Sequence, residues 1–175
     1  VACSRNNASG AAEINLPSPQ RWPSVACTPE ELARLRQAYQ GRGPEHDVVA
    51  RQVSSADEAL KHEVVFPPEG GQHNQWYQCD KCQLALETID TTHHRCTKCQ
   101  QVYSGYPYDN VIYSRTHSRL TRDLSVCAWA YALTGDEKYA RRAREILAGY
   151  AERYAKYPYH SANMGKLTDP PSKSG

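Results

Sequence analysis

Four cysteines form two Cys-x-x-Cys pairs, Cys79/Cys82 and Cys96/Cys99, with thirteen residues between the pairs. A tetrahedral zinc ion takes four soft donors at about 2.3 Å, and two residues between cysteines allow one tight turn to direct both thiolates at the same ion. The spacing therefore predicts a zinc ribbon with one structural zinc ion. Two disulfides are the alternative if the protein is oxidised during export. Four protein thiolates leave no open position for water or substrate, so this site supplies no reaction.

Two histidines, His93 and His94, directly precede the second pair. Either imidazole could replace a cysteine as ligand or donate to a thiolate. We expect them instead to be solvent-exposed residues of a loop.

A basic and aromatic set surrounds the cysteines and would suit a nucleic-acid surface: Lys81, Arg95, Lys98, Trp76 and Tyr77. The positive charges in it are sparse, and the net charge of the whole chain is only +2. A dedicated nucleic-acid binder carries a strongly basic footprint. We therefore expect no nucleic-acid partner.

The elements that position the cysteines are short strands. Thirteen residues between the pairs allow one strand out and one strand back, which brings the second pair beside the first. A further short strand is predicted at Val64-Val65-Phe66. The ribbon has too few apolar residues to build its own core, so zinc binding would contribute folding free energy directly.

Helices are predicted before the ribbon. Thr28-Pro29-Glu30-Glu31 combines an N-cap threonine, a proline at the first helical position and a glutamate three residues after the cap. That helix should end at Gly41. The stretch from Glu45 to Glu63 is also compatible with a helix, with a break suggested at Ser54-Ser55.

An αα-hairpin is predicted after the ribbon. Apolar residues at spacings of three and four predict one helix from Asp109 to Leu133 and a second from Glu137 to about Tyr157, with a break at Thr134-Gly135-Asp136. The second helix has an apolar face made by the following residues: Tyr139, Ala143, Ile146, Leu147, Tyr150 and Tyr154. One hairpin cannot bury both of its apolar faces, so we expect further helical layers to pack on it.

Several side chains of this hairpin have two interpretations. His117 is the candidate for substrate binding, through the carboxylate of an acidic sugar, and helix packing is the alternative. Arg141, Arg142 and Arg144 are expected to form a solvated face, with Arg141 paired to glutamates four residues away. The tyrosines of the second helix are expected to pack in the core and at the helix end rather than to form a platform for sugars.

The length of the chain and the residues at its two ends bear on membrane association and on export. The chain has 175 residues, and no run approaches the roughly 18 to 20 apolar residues that span a membrane. It begins with Val1 and ends in a segment rich in proline, serine and glycine, 169–175, which we interpret as belonging to a longer protein. Val1-Ala2-Cys3-Ser4 resembles the end of a bacterial lipoprotein signal, in which the cysteine is acylated. We therefore expect an exported bacterial protein, periplasmic or at the surface; for its N-terminus, acylation of Cys3 and an unstructured leader are the two alternatives.

Several motifs together resemble the N-terminal part of heparinase II/III-like proteins. They are Trp76-Tyr77-Gln78-Cys79, the two cysteine pairs, Val102-Tyr103-Ser104-Gly105, Tyr108-Asp109, the run from Tyr131 to Ala140, and Tyr157-Pro158-Tyr159-His160. The likeness covers roughly Pro67 to His160, and its distinctive element is a zinc ribbon inserted just before the first long helices of an incomplete α/α toroid.

The resemblance implies a polysaccharide lyase with a toroid followed by β-sandwich domains, which cleaves acidic polysaccharides by β-elimination at a uronic acid. The family's catalytic residues lie on later helices of the toroid, and no segment here matches them. No catalytic residue is therefore assigned, and we expect the chain alone to be inactive. The alternative is a non-catalytic module of ribbon and hairpin that binds a glycan, a protein or a nucleic acid.

The predicted fold class is mainly α with a small β zinc ribbon, as part of an (α/α) toroid. Its predicted divisions are an extended arm (1–27), an N-terminal helical segment (28–66), the zinc ribbon (67–107), the first αα-hairpin (108–160) and a linker to the remainder (161–175).

Overall fold

The computed structural model describes residues 26–157. The expected arm before residue 26, the acylation of Cys3 and the linker from 161 onward lie outside the described residues. The described elements are α1 (Pro29–Gln40), α2 (Pro44–Ala59), β1 (Leu86–Thr88), β2 (His94–Cys96), β3 (Val102–Tyr103), α3 (Tyr108–Thr134) and α4 (Glu137–Arg153). Short 3-10 turns lie at Asn74–Trp76 and Tyr154–Lys156. The structure is thus mainly helical with a small antiparallel sheet.

The predicted start of α1 is confirmed in detail. The Thr28 hydroxyl accepts from the Glu31 backbone N–H at 3.2 Å, and the Glu31 carboxylate accepts from the Thr28 N–H at 2.7 Å. This reciprocal pair satisfies two of the backbone donors that a helix start leaves unpaired. Gly41 ends the helix, as predicted.

The hairpin turn is also confirmed. Gly135 has φ 74°, a left-handed conformation that favours glycine, and its N–H donates to the carbonyl of Tyr131. The Asp136 carboxylate then accepts from the Lys138 N–H at 3.0 Å and caps α4. These local interactions reverse the chain between two long helices within three residues.

The helical core is formed by all four helices, with α3 in the centre. Buried residues of α2, α3 and α4 make one cluster: Val49, Val53, Ala56, Ala59, Cys127, Ala130, Leu133, Tyr139 and Ala143. Leu32 and Leu35 of α1 pack against it. The chain's own N-terminal helices therefore cover one face of the hairpin. Leu147 of α4 and Tyr154 of the following 3-10 turn, which the sequence places on the same apolar face as Tyr139, are not in this core: they are 56% and 78% exposed.

Two local predictions before the ribbon are wrong. Helix α2 runs without a break through Ser54-Ser55, because the apolar stripe of Val49, Val53 and Ala56 stays buried along it and the Ser55 hydroxyl donates to the Arg51 carbonyl one turn earlier. The segment at Val64-Val65-Phe66 is not a strand. The Phe66 ring instead packs directly over Gly149, where a Cβ would come within 2.1 Å of the ring.

The sheet of the ribbon has the order β1-β2-β3 and is antiparallel throughout. Leu86 pairs with Cys96 and His94 pairs with Tyr103. The sheet contributes Leu86 and Cys96 to a second, smaller buried cluster with Tyr77, Cys79 and Val111. Because Val111 belongs to α3, the ribbon is attached to the first turns of the long helix.

Within residues 26–157, no helix has both the length and the apolar character needed to cross a membrane.

Candidate metal centre

The two Cys-x-x-Cys pairs have the same backbone structure. In the first, the Gln83 N–H donates to the Cys79 carbonyl at 2.8 Å; in the second, the Gln100 N–H donates to the Cys96 carbonyl at 2.9 Å. Both glutamines have positive φ, 55° and 62°, which is uncommon for a residue with a side chain. The repeated turn aims both thiols of a pair to the same side.

The glutamine side chains repeat the same contact as well. Gln83 donates to the Asp80 carbonyl at 3.0 Å, and Gln100 donates to the Thr97 carbonyl at 2.8 Å. Each bond closes the turn between two cysteines. The sequence signal for this symmetry is the repeat Cys-x-Lys-Cys-Gln at both pairs, which spacing analysis of the cysteines alone missed.

The four sulfur atoms converge. All lie within 4.8 Å of one another, and the Sγ atoms of Cys79 and Cys99, which come from different pairs, are 3.6 Å apart. Four donors at about 2.3 Å around a tetrahedral ion would be separated by about 3.8 Å. A disulfide would need a separation of about 2.05 Å, and among the described residues no disulfide joins these cysteines. The donor set therefore fits one tetrahedral ion that prefers sulfur.

The surroundings of the sulfurs differ even though the backbone repeats. Cys79 and Cys96, the first cysteine of each pair, are fully buried, whereas Cys99 is exposed. The Tyr103 hydroxyl accepts from the Asp80 N–H and donates to Cys79 Sγ, both at 3.2 Å. This donation stabilises the thiolate and lowers the pKa of Cys79 to about 6. Tyr103 thus stabilises one specific thiolate of the four, that of Cys79.

A chain of hydrogen bonds connects the ribbon to α3. The Tyr77 hydroxyl donates to His94 Nδ1 at 2.8 Å, and His94 Nε2 donates to the Asp109 carboxylate at 3.0 Å. Asp109 also accepts from the Gly105 N–H at 2.9 Å. Asp109 lies in the first turn of α3, where a carboxylate interacts favourably with the helix dipole.

The expectation of exposed loop histidines is wrong for one of the two. His94 is completely buried in β2 because its ring fills the space between the sheet and α3, while His93 is exposed and contacts Asp90. Neither belongs to the sulfur cluster. His94 acts between ribbon and helix, a role that only the tertiary packing reveals.

His117 lies on α3 away from the sulfurs. Its Nε2 donates to the Glu69 carbonyl at 2.9 Å, so its Nδ1 is placed to accept from the Tyr150 hydroxyl at 2.8 Å. Both ring nitrogens therefore have protein partners, and the ring edge lines an open groove beside the helix. Substrate binding by His117 remains a prediction.

The arginines of α4 do not act alike. Arg142 is not part of a solvated face: its guanidinium donates to the carbonyls of Ala59, Leu60 and His62, at and just after the end of α2. Its ionic partner is Glu145 at 3.1 Å. Arg141 and Arg144 are exposed. The predicted pairing of Glu145 with Arg141 is wrong, since Glu145 pairs with Arg142.

Comparisons of the chain with protein-family models, with curated proteins and with solved structures found no match in any of the three.

Proposed function

We propose that Cys79, Cys82, Cys96 and Cys99 hold one structural zinc ion, and that the ribbon serves as a scaffold in a polysaccharide lyase. The convergence of four thiols from two repeated turns supports the zinc site. Zinc suits the site because it accepts four thiolates in tetrahedral geometry. All four positions are taken by protein, so the ion would hold the fold and would not activate water.

The support for a lyase is the attachment of the ribbon to the first turns of α3, at the start of an αα-hairpin. Tyr108 and Val111 of α3 pack in the ribbon's buried cluster. This is the arrangement that the motifs shared with heparinase II/III-like proteins imply. The remainder of the toroid and the β-sandwich domains would then belong to the same exported protein.

The chemistry of β-elimination defines what this segment does and does not provide. A uronic acid loses its C5 proton only when its carboxylate is neutralised, and the reaction also needs a base and an acid for the leaving oxygen. The buried His94 and Asp109 are bonded to each other and cannot serve as that pair. We therefore assign the segment a role in supporting the substrate cleft.

Elemental analysis of the purified chain tests the zinc site, with about one zinc per chain expected. Ultraviolet detection of unsaturated uronic acid tests the lyase. The protein extended beyond Gly175 is incubated with alginate, heparinoids and chondroitins, and chain shortening with a rise in absorbance is expected on at least one. Absence of product on all of them would count against a lyase.

A non-catalytic binding module is the second candidate. It is favoured by the closed set of four thiolates, which offers no position for chemistry. Binding of a glycan by an extended protein that releases no unsaturated product would support this candidate over the first.

A further inference from the structure

An open groove of about 1040 Å³ runs along one side of α3, away from the cysteines. One wall is a stripe of α3 residues spaced three or four apart: Ser114, Ser118, Thr121, Arg122, Ser125 and Trp129. From Ser118 to Trp129 the stripe is about 16 Å long at the α-helical rise per residue. The groove is thus long and narrow rather than a closed pocket.

The segment 71–74 also lines the groove and lies close to the helix. A Cβ at Gly71 would lie 2.4 Å from Ser114 Cα, so only glycine allows this approach. Arg115 fixes the segment from the other side by donating to the Asn74 side chain at 2.6 Å. The segment 71–74 is therefore fixed against α3 where the two line the groove.

The lining is chemically suited to sugar hydroxyls. Within the described part of the chain, the hydroxyls of Ser118 and Ser125 make no hydrogen bond, and both residues are exposed. Hydroxyl groups donate and accept, as sugar hydroxyls do. The exposed apolar side chains Leu147 and Tyr154 lie outside the groove, on α4 and in the 3-10 turn that follows it.

The charge of the groove favours an anionic ligand. Among the described residues that line it, none is acidic, and Arg122 is the one lysine or arginine. The Arg122 side chain is 68% exposed and lies 4.0 Å from Asp123, a weak contact. Asp123 is buried and accepts from His62 at 2.8 Å. The Arg122 guanidinium therefore remains available to a carboxylate or sulfate.

Aromatic side chains lie in the groove and in an adjoining cleft. Trp129 lines one end of the groove. Along the stripe, His117 and Thr121 also line an adjoining cleft of about 390 Å³ with Tyr150, Tyr154 and Tyr157. Aromatic faces present large apolar area together with a polar edge, and so suit the faces of sugar rings.

We propose that this groove binds an oligosaccharide carrying carboxylate or sulfate groups, with Arg122 contacting the anion and Trp129 contacting a sugar ring. The source of the oligosaccharide, an acidic polysaccharide, rests on the proposed function. The evidence for binding is the lining of the groove itself. A single-stranded nucleic acid is disfavoured, since its binding depends on several cations along a backbone and on successive aromatic platforms.

Titration calorimetry on the 175-residue chain loaded with zinc tests the proposal. The probes are alginate and heparin tetrasaccharides, cellotetraose as the neutral sugar, and a short oligothymidylate. We expect at least one acidic tetrasaccharide to bind, and Arg122→Gln to weaken it about tenfold. Ser118→Tyr, which fills the groove from an exposed position, should abolish binding. Arg144→Gln is the matched control: it removes an exposed arginine of α4 and should leave the affinity unchanged.

The results that overturn the proposal are distinct from those that overturn the lyase. Any of four results would refute the proposed binding in the groove. They are no binding of either acidic probe, equal binding of cellotetraose, tighter binding of oligothymidylate, and a loss of affinity in Arg144→Gln equal to that in Arg122→Gln. If the extended protein cleaves a uronate polymer while Arg122→Gln and Ser118→Tyr have no effect on its KM, the lyase stands and the groove fails. If the tetrasaccharide binds and no polymer is cleaved, the groove stands and the lyase fails.

Discussion

The ribbon and the helical layer of this protein are stabilised by different interactions. The helices bury a continuous apolar cluster that includes Val53, Ala130 and Tyr139. The strands of the ribbon have only two or three residues each, and its buried cluster consists of few side chains, two of them cysteines. Apolar burial accounts for the first region, whereas the second would depend on the proposed zinc ion bound by its four thiolates. Loss of the metal should therefore affect the two regions unequally.

Removal of the metal should have the largest effect, and it tests most directly whether the ribbon and the helices are stabilised by different interactions. We expect Cys96→Ser, or excess chelator, to unfold the ribbon while α3 and α4 remain helical, since structural zinc in small domains contributes about 10–16 kcal/mol. Amide hydrogen exchange measures the loss of protection in β1 and β2, and circular dichroism measures the retained helix.

A second thiol provides the matched control for that experiment. Cys127 is buried among the helices, so Cys127→Ala should lower the stability of the helical layer and leave zinc stoichiometry unchanged. Protected ribbon amides in the metal-free Cys96→Ser protein would contradict the division into two differently stabilised regions.

Local features of the fold could be predicted from the sequence. The capping box at Thr28 and Glu31, the turn at Gly135 and the sulfur cluster each depend on residues close along the chain or on a fixed ligand spacing. Such interactions are specified by a few neighbouring residues, and for that reason their patterns are informative.

Features that depend on long-range packing could not be predicted in this way. His94 is buried because β2 packs on α3, and Arg142 reaches carbonyls more than eighty residues earlier in the chain. The continuity of α2 through Ser54-Ser55 likewise depends on the buried face it presents to α3. In each case the local pattern suits two environments, and the tertiary contact decides between them.

The hydrogen bond between His94 of the ribbon and Asp109 of α3 provides the next test of how the two regions are stabilised. We expect His94→Ala to cost about 3 kcal/mol, because it leaves the buried Asp109 without its imidazole partner while the Gly105 N–H still donates to it. Chemical denaturation of the zinc-loaded protein measures the change. His93→Ala removes a neighbouring exposed imidazole and should change the stability by less than about 0.5 kcal/mol. Equal effects of the two substitutions would show that the network does not couple ribbon and helix.

The smallest expected effect distinguishes the two cysteine pairs from each other. Tyr103→Phe removes the hydroxyl that donates to Cys79 Sγ and leaves the turn at Cys96 untouched. Loss of one such partner weakens metal affinity by about tenfold, the low end for groups that support a ligand. Competition with a chromogenic chelator measures this affinity, and Tyr131→Phe, an exposed tyrosine on α3, is the control. An unchanged affinity in Tyr103→Phe would mean that the repeated backbone turns alone set the strength of the site, and that the buried surroundings of Cys79 add nothing to it.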